Sequence, residues 1–146
     1  MDQKVQQFLE AEKLAVVGVS RSEKKFGSMI YKELKERRFD VYGVNPNMDT
    51  IFEDPCYPAV AELADKVEGV VICIPPKQAA GVVREAAAAG IDRIWLQQGS
   101  QSLETRKAAS DTGVDPVEGK CILMYAGKVN SVHAVHRFFA KLFGTY

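Results

Sequence analysis

Short apolar stretches recur along the chain and alternate with longer segments of helical pattern. The apolar stretches predict five β-strands, at residues 14–19, 41–44, 70–74, 94–96 and 121–125. The first, third and fourth are apolar almost throughout, which is typical of strands buried on both faces of a parallel sheet.

The intervening segments predict helices at residues 1–12, 27–38, 77–89, 102–112 and 130–143. Gly90 and Gly113 follow two of these segments and are expected to terminate them. Ser102 is a suitable N-cap, but Ser102 with Thr105 is not a Ser/Thr-x-x-Glu/Gln capping box. Residues 46–58, with three prolines, are predicted to form the longest loop.

This alternation of strands and helices predicts an α/β fold built from right-handed βαβ units. We expect a single doubly wound, Rossmann-like domain over residues 1–146, with a mainly parallel five-stranded sheet and helices on both faces.

Composition narrows the range of partners. The 146 residues contain 19 Lys and Arg and 19 Asp and Glu, so no basic excess indicates nucleic-acid binding. The first residues are polar, and no apolar stretch approaches the roughly 20 residues of a membrane span. The three cysteines show no C-x-x-C spacing. We therefore expect a cytoplasmic protein without a membrane partner or a metal site.

Ligands of such sheets bind beyond the carboxyl ends of the strands, so the segment after each strand supplies the candidate ligand-binding residues. The first strand leads into Gly18, Val19, Ser20, Arg21 and, four residues later, Lys25. Glycine allows close backbone approach, and the cations and the following helix N-terminus suit phosphates. Neither G-x-G-x-x-G nor a P-loop is present. We favour phosphate binding over an ordinary solvated loop.

The second strand ends at Asn45 and Pro46 without the carboxylate that NAD-binding domains place there. This argues against NAD. Asn45 is equally well interpreted as a ligand contact or as a cap of the turn before proline.

The third and fourth strands are followed by less specific segments. Ile74, Pro75 and Pro76 are predicted to form a stiff apolar wall beside a ligand, or simply a rigid turn into the next helix. Gln97 and Gly99 would lie along a thin polar part of the ligand, or form a plain turn.

In this order, the segments VVGVSRSEKKFG, VYGVNPN, YPAVAEL, VVICIPPKQAAGVV and IWLQQGS resemble the CoA-binding domain family. That family includes small stand-alone bacterial proteins and the nucleotide-binding domain of the succinyl-CoA synthetase alpha subunit. The resemblance covers roughly residues 14–100.

The resemblance implies coenzyme A lying across the strand ends. The loop from Gly18 to Arg21, with Lys25, would hold the phosphates. Asn45 and Pro46 would lie near the adenosine, and the residues after the third and fourth strands would flank the rest of the cofactor.

No catalytic set is evident, so we expect a binding protein for coenzyme A or an acyl-CoA, acting as a carrier, sensor or regulatory protein. The alternative is an NADP- or NAD-binding oxidoreductase or redox-sensing domain, and NADP suits the basic loop better than NAD. The synthetase's phosphorylatable histidine belongs to a separate domain, so ligase activity by this chain alone is not expected.

The C-terminal part departs from the family pattern. The resemblance aligns Cys121 with a family cysteine, although a buried strand cysteine explains it as well. His133 and His136 lie three residues apart and are better explained as surface or interface residues than as metal ligands. The apolar end of the last helix suggests docking on the sheet or a homodimer seam. A partner enzyme subunit is the other expected assembly.

Overall fold

The computed structural model describes residues 2–126 and has an α/β Rossmann-like architecture. Its helices are α1 (Gln3–Leu9), α2 (Phe26–Glu36), α3 (Pro76–Ala88) and α4 (Leu103–Thr112). Its strands are β1 (Lys13–Val17), β2 (Asp40–Val44), β3 (Thr50–Ile51), β4 (Asp54–Tyr57), β5 (Gly69–Ile72), β6 (Arg93–Gln97) and β7 (Val117–Lys120). Two short 3₁₀ helices span Val60–Leu63 and Ile122–Met124.

The seven strands form one sheet in the order β3-β4-β2-β1-β5-β6-β7. All neighbouring pairs are parallel except β3 and β4. Strand β1 is central, with β2 on one side and β5 on the other. The chain therefore winds in both directions from β1, and this reversal creates a crevice at the carboxyl ends of β1 and β5.

Alternate residues of the central strands supply two hydrophobic cores, one on each face of the sheet. Leu14 and Val16 of β1 face the core beneath α1 and α2, where Trp95 is fully buried. Ala15 and Val17 face the opposite core, beneath α3 and α4. Helices on both faces are thus confirmed, and they explain why the inner strands are apolar at nearly every position.

The sequence-based prediction of five strands was wrong, because the sheet has seven. The predicted loop at residues 46–58 contains β3 and β4, a short hairpin whose turn residues Phe52 and Glu53 have φ of 47° and 70°. These two strands are too short to show a hydrophobic pattern in the sequence. Strand β4 also contains Pro55, and proline is untypical of strands.

The predicted strand at residues 121–125 was also wrong. The edge strand is β7, with sequence VEGK, and a 3₁₀ helix follows it. Three side chains from other elements hold this segment by its backbone. Trp95 Nε1 donates to the Lys120 carbonyl at 3.0 Å, Arg37 Nη1 donates to the Leu123 carbonyl at 2.8 Å, and Gln97 Oε1 accepts from the Ile122 N–H at 2.7 Å.

Helix α4 begins with a capping arrangement that the sequence analysis had excluded. Ser102 Oγ accepts a hydrogen bond from the Thr105 N–H, and Thr105 Oγ1 accepts one from the Ser102 N–H. Threonine thus performs the reciprocal role usually taken by Glu or Gln. The predicted glycine terminations are confirmed, with Gly90 at φ 82° and Gly113 at φ 81°. The predicted helix at residues 130–143 lies outside the described residues.

Helix α2 ends in a Schellman motif with an arginine at the position that favours glycine. The Phe39 N–H donates to the Leu34 carbonyl, and the Arg38 N–H donates to the Lys35 carbonyl. Arg38 has φ 73° and is exposed. A left-handed conformation costs a residue with a Cβ about 1 kcal/mol.

Replacing Arg38 by Gly should therefore raise the free energy of unfolding by about 0.5–1 kcal/mol, measured by urea denaturation. Arg38→Ala is the matched control, since it removes the same side chain but keeps the Cβ. Equal stabilisation by both variants would contradict the assignment of strain to the backbone.

Gln97→Met should lower the free energy of unfolding by about 1–2 kcal/mol, because it leaves the buried Ile122 N–H without an acceptor. The neighbouring Gln98 is exposed, so Gln98→Met should stay within about 0.5 kcal/mol of wild type. Indistinguishable urea midpoints for the two variants would show that the Gln97 hydrogen bond does not anchor this segment.

Candidate functional site

A groove of about 470 Å³ opens at the carboxyl ends of the central strands, where the sheet reverses direction. Helix α2 leaves β1 toward one face, and α3 leaves β5 toward the other. The groove is lined by the first turn of α2 and by the loops that follow β1, β2, β5 and β6. The lining residues are Gly18, Val19, Ser20, Lys25, Phe26, Gly27, Asn45, Cys73, Ile74, Pro75, Gln98, Gly99 and Ser100.

Two glycines let the start of α2 lie directly against the end of β1. Gly18 has φ 115°, and a Cβ there would overlap the carbonyl oxygen of Cys73. A Cβ on Gly27, in the first turn of α2, would overlap the carbonyl oxygen of Gly18. Larger residues would separate helix from strand, so this contact places the N-terminus of α2 at the groove wall.

The electrostatics of this wall favour an anion. The N-cap of α2 is Lys25, whose side chain does not cap the helix, and the first turn contains no acidic residue. Among residues 2–126, the groove lining contains one charged side chain, Lys25, and no carboxylate. A helix N-terminus carries partial positive charge, so lysine and helix act in the same direction.

The remaining charges of the β1–α2 loop lie outside the groove lining. Arg21 and Lys24 are exposed on the loop. Glu23 is engaged by Lys32, whose ammonium also lies 4.2 Å from the centre of the Phe52 ring. The acidic residue of the loop is thereby directed toward α2, and Arg21 lies on the loop beside the groove.

Asn45 both lines the groove and organises it. Its Nδ2 donates to the Val19 carbonyl at 2.8 Å, while its Oδ1 accepts from the Asn47 N–H at 2.8 Å. It therefore caps the turn before proline and ties this turn to the β1–α2 loop. Pro46 is exposed and does not line the groove.

The opposite wall is apolar and rigid. Ile74 and Pro75 line it, and Pro76 is the first residue of α3, behind the lining. Phe26 completes the apolar part from the side of α2. The groove thus combines a cationic end with an uncharged end.

Cys73 lies between these walls and also packs against the core on the α1 and α2 side of the sheet. It is half-buried and lines the groove. Burial, together with the nearby Cys121, raises the pKa of the Cys73 thiol to about 12. The thiol is therefore protonated at neutral pH and is a weak nucleophile.

The β6 segment differs from the expectation by one residue. Gln97 points into the core and is fully buried, whereas Gln98, Gly99 and Ser100 line the groove. In a strand, successive side chains face opposite sides, and this alternation decides which residue reaches the ligand side.

Five lining residues were not selected from the sequence: Phe26, Gly27, Cys73, Gln98 and Ser100. Each of these five residues lies within two positions of a residue that the sequence did predict for the site. The position of the strand ends would have identified them, since every lining residue lies in a loop that follows a parallel strand or in the first turn of α2.

No helix within residues 2–126 is long and apolar enough to cross a membrane. Within the same residues, no cluster of three or more His, Cys, Asp or Glu side chains has the arrangement of a metal site. His133 and His136 lie outside the described residues.

Comparison with known proteins agrees with this architecture. A conserved hypothetical protein from Pyrococcus furiosus is 39% identical in sequence, with a TM-score of 0.74 over 77% of this chain and 97% of that one. The dinucleotide-forming acetyl-coenzyme A synthetase 1 of Candidatus Korarchaeum cryptofilum is 30% identical, with a TM-score of 0.64 over 72% of this chain and 25% of that one.

Among curated proteins, acetate–CoA ligase (ADP-forming) II of Archaeoglobus fulgidus is 37% identical over 98 residues, which are 66% of this chain and 15% of the ligase. A second ligase of that organism is 28% identical over 139 residues and 20% of its length. The chain thus spans a fifth or less of these relatives.

The family described as CoA binding domain matches residues 12–126, which include every strand and every residue that lines the groove. The chain therefore belongs to the CoA binding domain family.

Proposed function

We propose that this chain binds coenzyme A, or an acyl-CoA, in the groove at the carboxyl ends of β1, β5 and β6. The observation that carries the proposal is the combination of Lys25 and the N-terminus of α2 in a lining without carboxylates. Membership of the family and the names of the acetate–CoA ligases support the choice of cofactor.

The groove's two ends suit the two parts of this cofactor. Lys25 and the start of α2 would hold the phosphates, with Arg21 contributing from the rim. Asn45 would lie near the adenosine part. The uncharged arm would lie along Ile74 and Pro75, toward Gly99 of the β6 loop.

The proposed role is binding: carriage, sensing or regulation. The matching ligases carry this region within a much longer chain, so we include a partner enzyme subunit in the proposal. A homodimer is the other assembly predicted from the sequence, and it depends on residues outside the described part.

The family match lends no support to the alternative of an NADP- or NAD-binding oxidoreductase or redox-sensing domain. The end of β2 also offers Asn45, Pro46 and Asn47 in place of the carboxylate that holds an NAD ribose.

A thermal-shift comparison of CoA, acetyl-CoA, NAD and NADP tests the choice of ligand. A ligand that binds the folded state but not the unfolded state raises the melting temperature. CoA or acetyl-CoA should therefore raise the melting temperature of this protein in a concentration-dependent manner, while NAD and NADP should leave it unchanged. Selective stabilisation by NADP would overturn the proposal.

The phosphate assignment is tested by calorimetry of Arg21→Ala/Lys25→Ala with CoA. Loss of charge-assisted contacts should weaken binding at least tenfold, about 1.4 kcal/mol. Lys25→Ala alone should account for most of this, because Lys25 lines the groove and Arg21 lies outside the lining.

The control is Arg84→Ala/Lys107→Ala, which removes the same charge from an exposed cluster around Asp111 on the α3 and α4 side. Equal losses in the two double variants would indicate a general charge effect rather than a phosphate site. Unchanged affinity in Arg21→Ala/Lys25→Ala would contradict the assignment outright.

A further inference from the structure

Two buried serine hydroxyls each bind both backbone groups of a single residue in a loop beside the groove. Ser28 Oγ accepts from the Ser20 N–H at 2.8 Å and donates to the Ser20 carbonyl at 2.8 Å. Ser100 Oγ accepts from the Ile74 N–H at 3.2 Å and donates to the Ile74 carbonyl at 2.7 Å. Ser28 is fully buried and Ser100 is 3% exposed.

The two loops concerned are those that leave β1 and β5, on either side of the point where the sheet reverses. Ser20 and Ile74 both line the groove. Within residues 2–126, the backbone groups of Ser20 and Ile74 take part in no helix or strand hydrogen-bonding pattern. The serine hydroxyl therefore replaces the hydrogen bonds that secondary structure would provide. One hydroxyl thereby fixes the peptide groups on both sides of the residue.

We propose that Ser28 and Ser100 are positioning residues that hold the two groove loops in the ligand-binding conformation before the ligand arrives. This inference rests on the proposed function. A hydroxyl has a single proton, and each of these serines donates it to a loop carbonyl, so neither hydroxyl has a proton left to donate to a ligand. The serines therefore act through Ser20 and Ile74.

Holding the two loops in place before binding should raise the affinity for the ligand, because ordering a loop on binding costs free energy. A loop that is already ordered loses little conformational freedom on binding, so more of the contact energy appears as affinity. Both hydroxyls are shielded from water, which would otherwise compete for the same backbone groups. The Ser20 N–H, the one backbone donor of that residue, is bound to Ser28, so a phosphate would meet Lys25 and the first turn of α2 instead.

The inference predicts unusual protection of two loop amides in the free protein. In amide hydrogen exchange followed by NMR, the Ser20 and Ile74 N–H groups should exchange slowly in the wild type. Ser28→Ala should accelerate exchange at Ser20 at least tenfold and leave Ile74 unchanged, whereas Ser100→Ala should do the reverse. A merely structural role would accelerate exchange throughout the domain.

Calorimetry with CoA supplies the second readout, at a temperature where every variant is folded. Each alanine variant should bind CoA at least fivefold more weakly, with a more unfavourable binding entropy. Ser28→Thr and Ser100→Thr keep the hydroxyl and should restore both affinity and amide protection. If one threonine does not fit its site, the other site provides the same comparison. Ser110→Ala removes an exposed serine hydroxyl of α4 and should change neither readout.

The outcomes separate the two proposals. Failure of the wild type to bind CoA overturns the proposed function and the positioning role together. Wild-type binding that is retained at equal affinity in Ser28→Ala and Ser100→Ala overturns the positioning role alone.

Discussion

The contact between Gly18 and Gly27 determines how closely helix α2 approaches the central strand β1. Each glycine lies where a Cβ would overlap a backbone carbonyl oxygen, of Cys73 in one case and of Gly18 in the other. The constraint is steric, and it links three parts of the groove: the end of β1, the end of β5 and the first turn of α2. Without it, the helix dipole and Lys25 would be displaced from the groove wall.

A close approach of this kind leaves loop backbone groups inside the protein, and these need hydrogen-bond partners. Side chains supply them at each loop. Ser28 serves the β1–α2 loop, Asn45 joins that loop to the end of β2, and Ser100 serves the β5–α3 loop. The same principle operates after β7, where Arg37, Trp95 and Gln97 bind backbone groups of the following segment. Side-chain hydrogen bonds thus stabilise the irregular parts, while the two apolar cores stabilise the sheet.

The uneven distribution of charge gives the groove its chemical character in a chain of zero net charge. Glu23, the acidic residue of the β1–α2 loop, is engaged by Lys32, and Asp54 at the start of β4 is engaged by Lys35 and Tyr31. The hydrogen bonds from Lys35 and Tyr31 hold the pKa of Asp54 below its usual value. The cations Arg21 and Lys25 carry no such partner among the ion pairs found within residues 2–126. The loop beside the groove is consequently more basic than the overall composition indicates.

The sequence alone determined the α/β architecture, the four central strands β1, β2, β5 and β6, and the region of the groove. Burial on both faces requires apolar residues at nearly every strand position, and glycine at residue 18 and cations in the following loop are visible as residue types. Tertiary structure decided the rest. The edge strand β7 and the hairpin of β3 and β4 depend on pairing with neighbours rather than on their own hydrophobicity. Whether Gln97 or Gln98 reaches the groove depends on strand register, and the roles of Ser28 and Ser100 depend on contacts across eight and 26 residues of sequence. Such contacts form only after the chain has folded, because a short polar side chain carries no periodic pattern that identifies its partner.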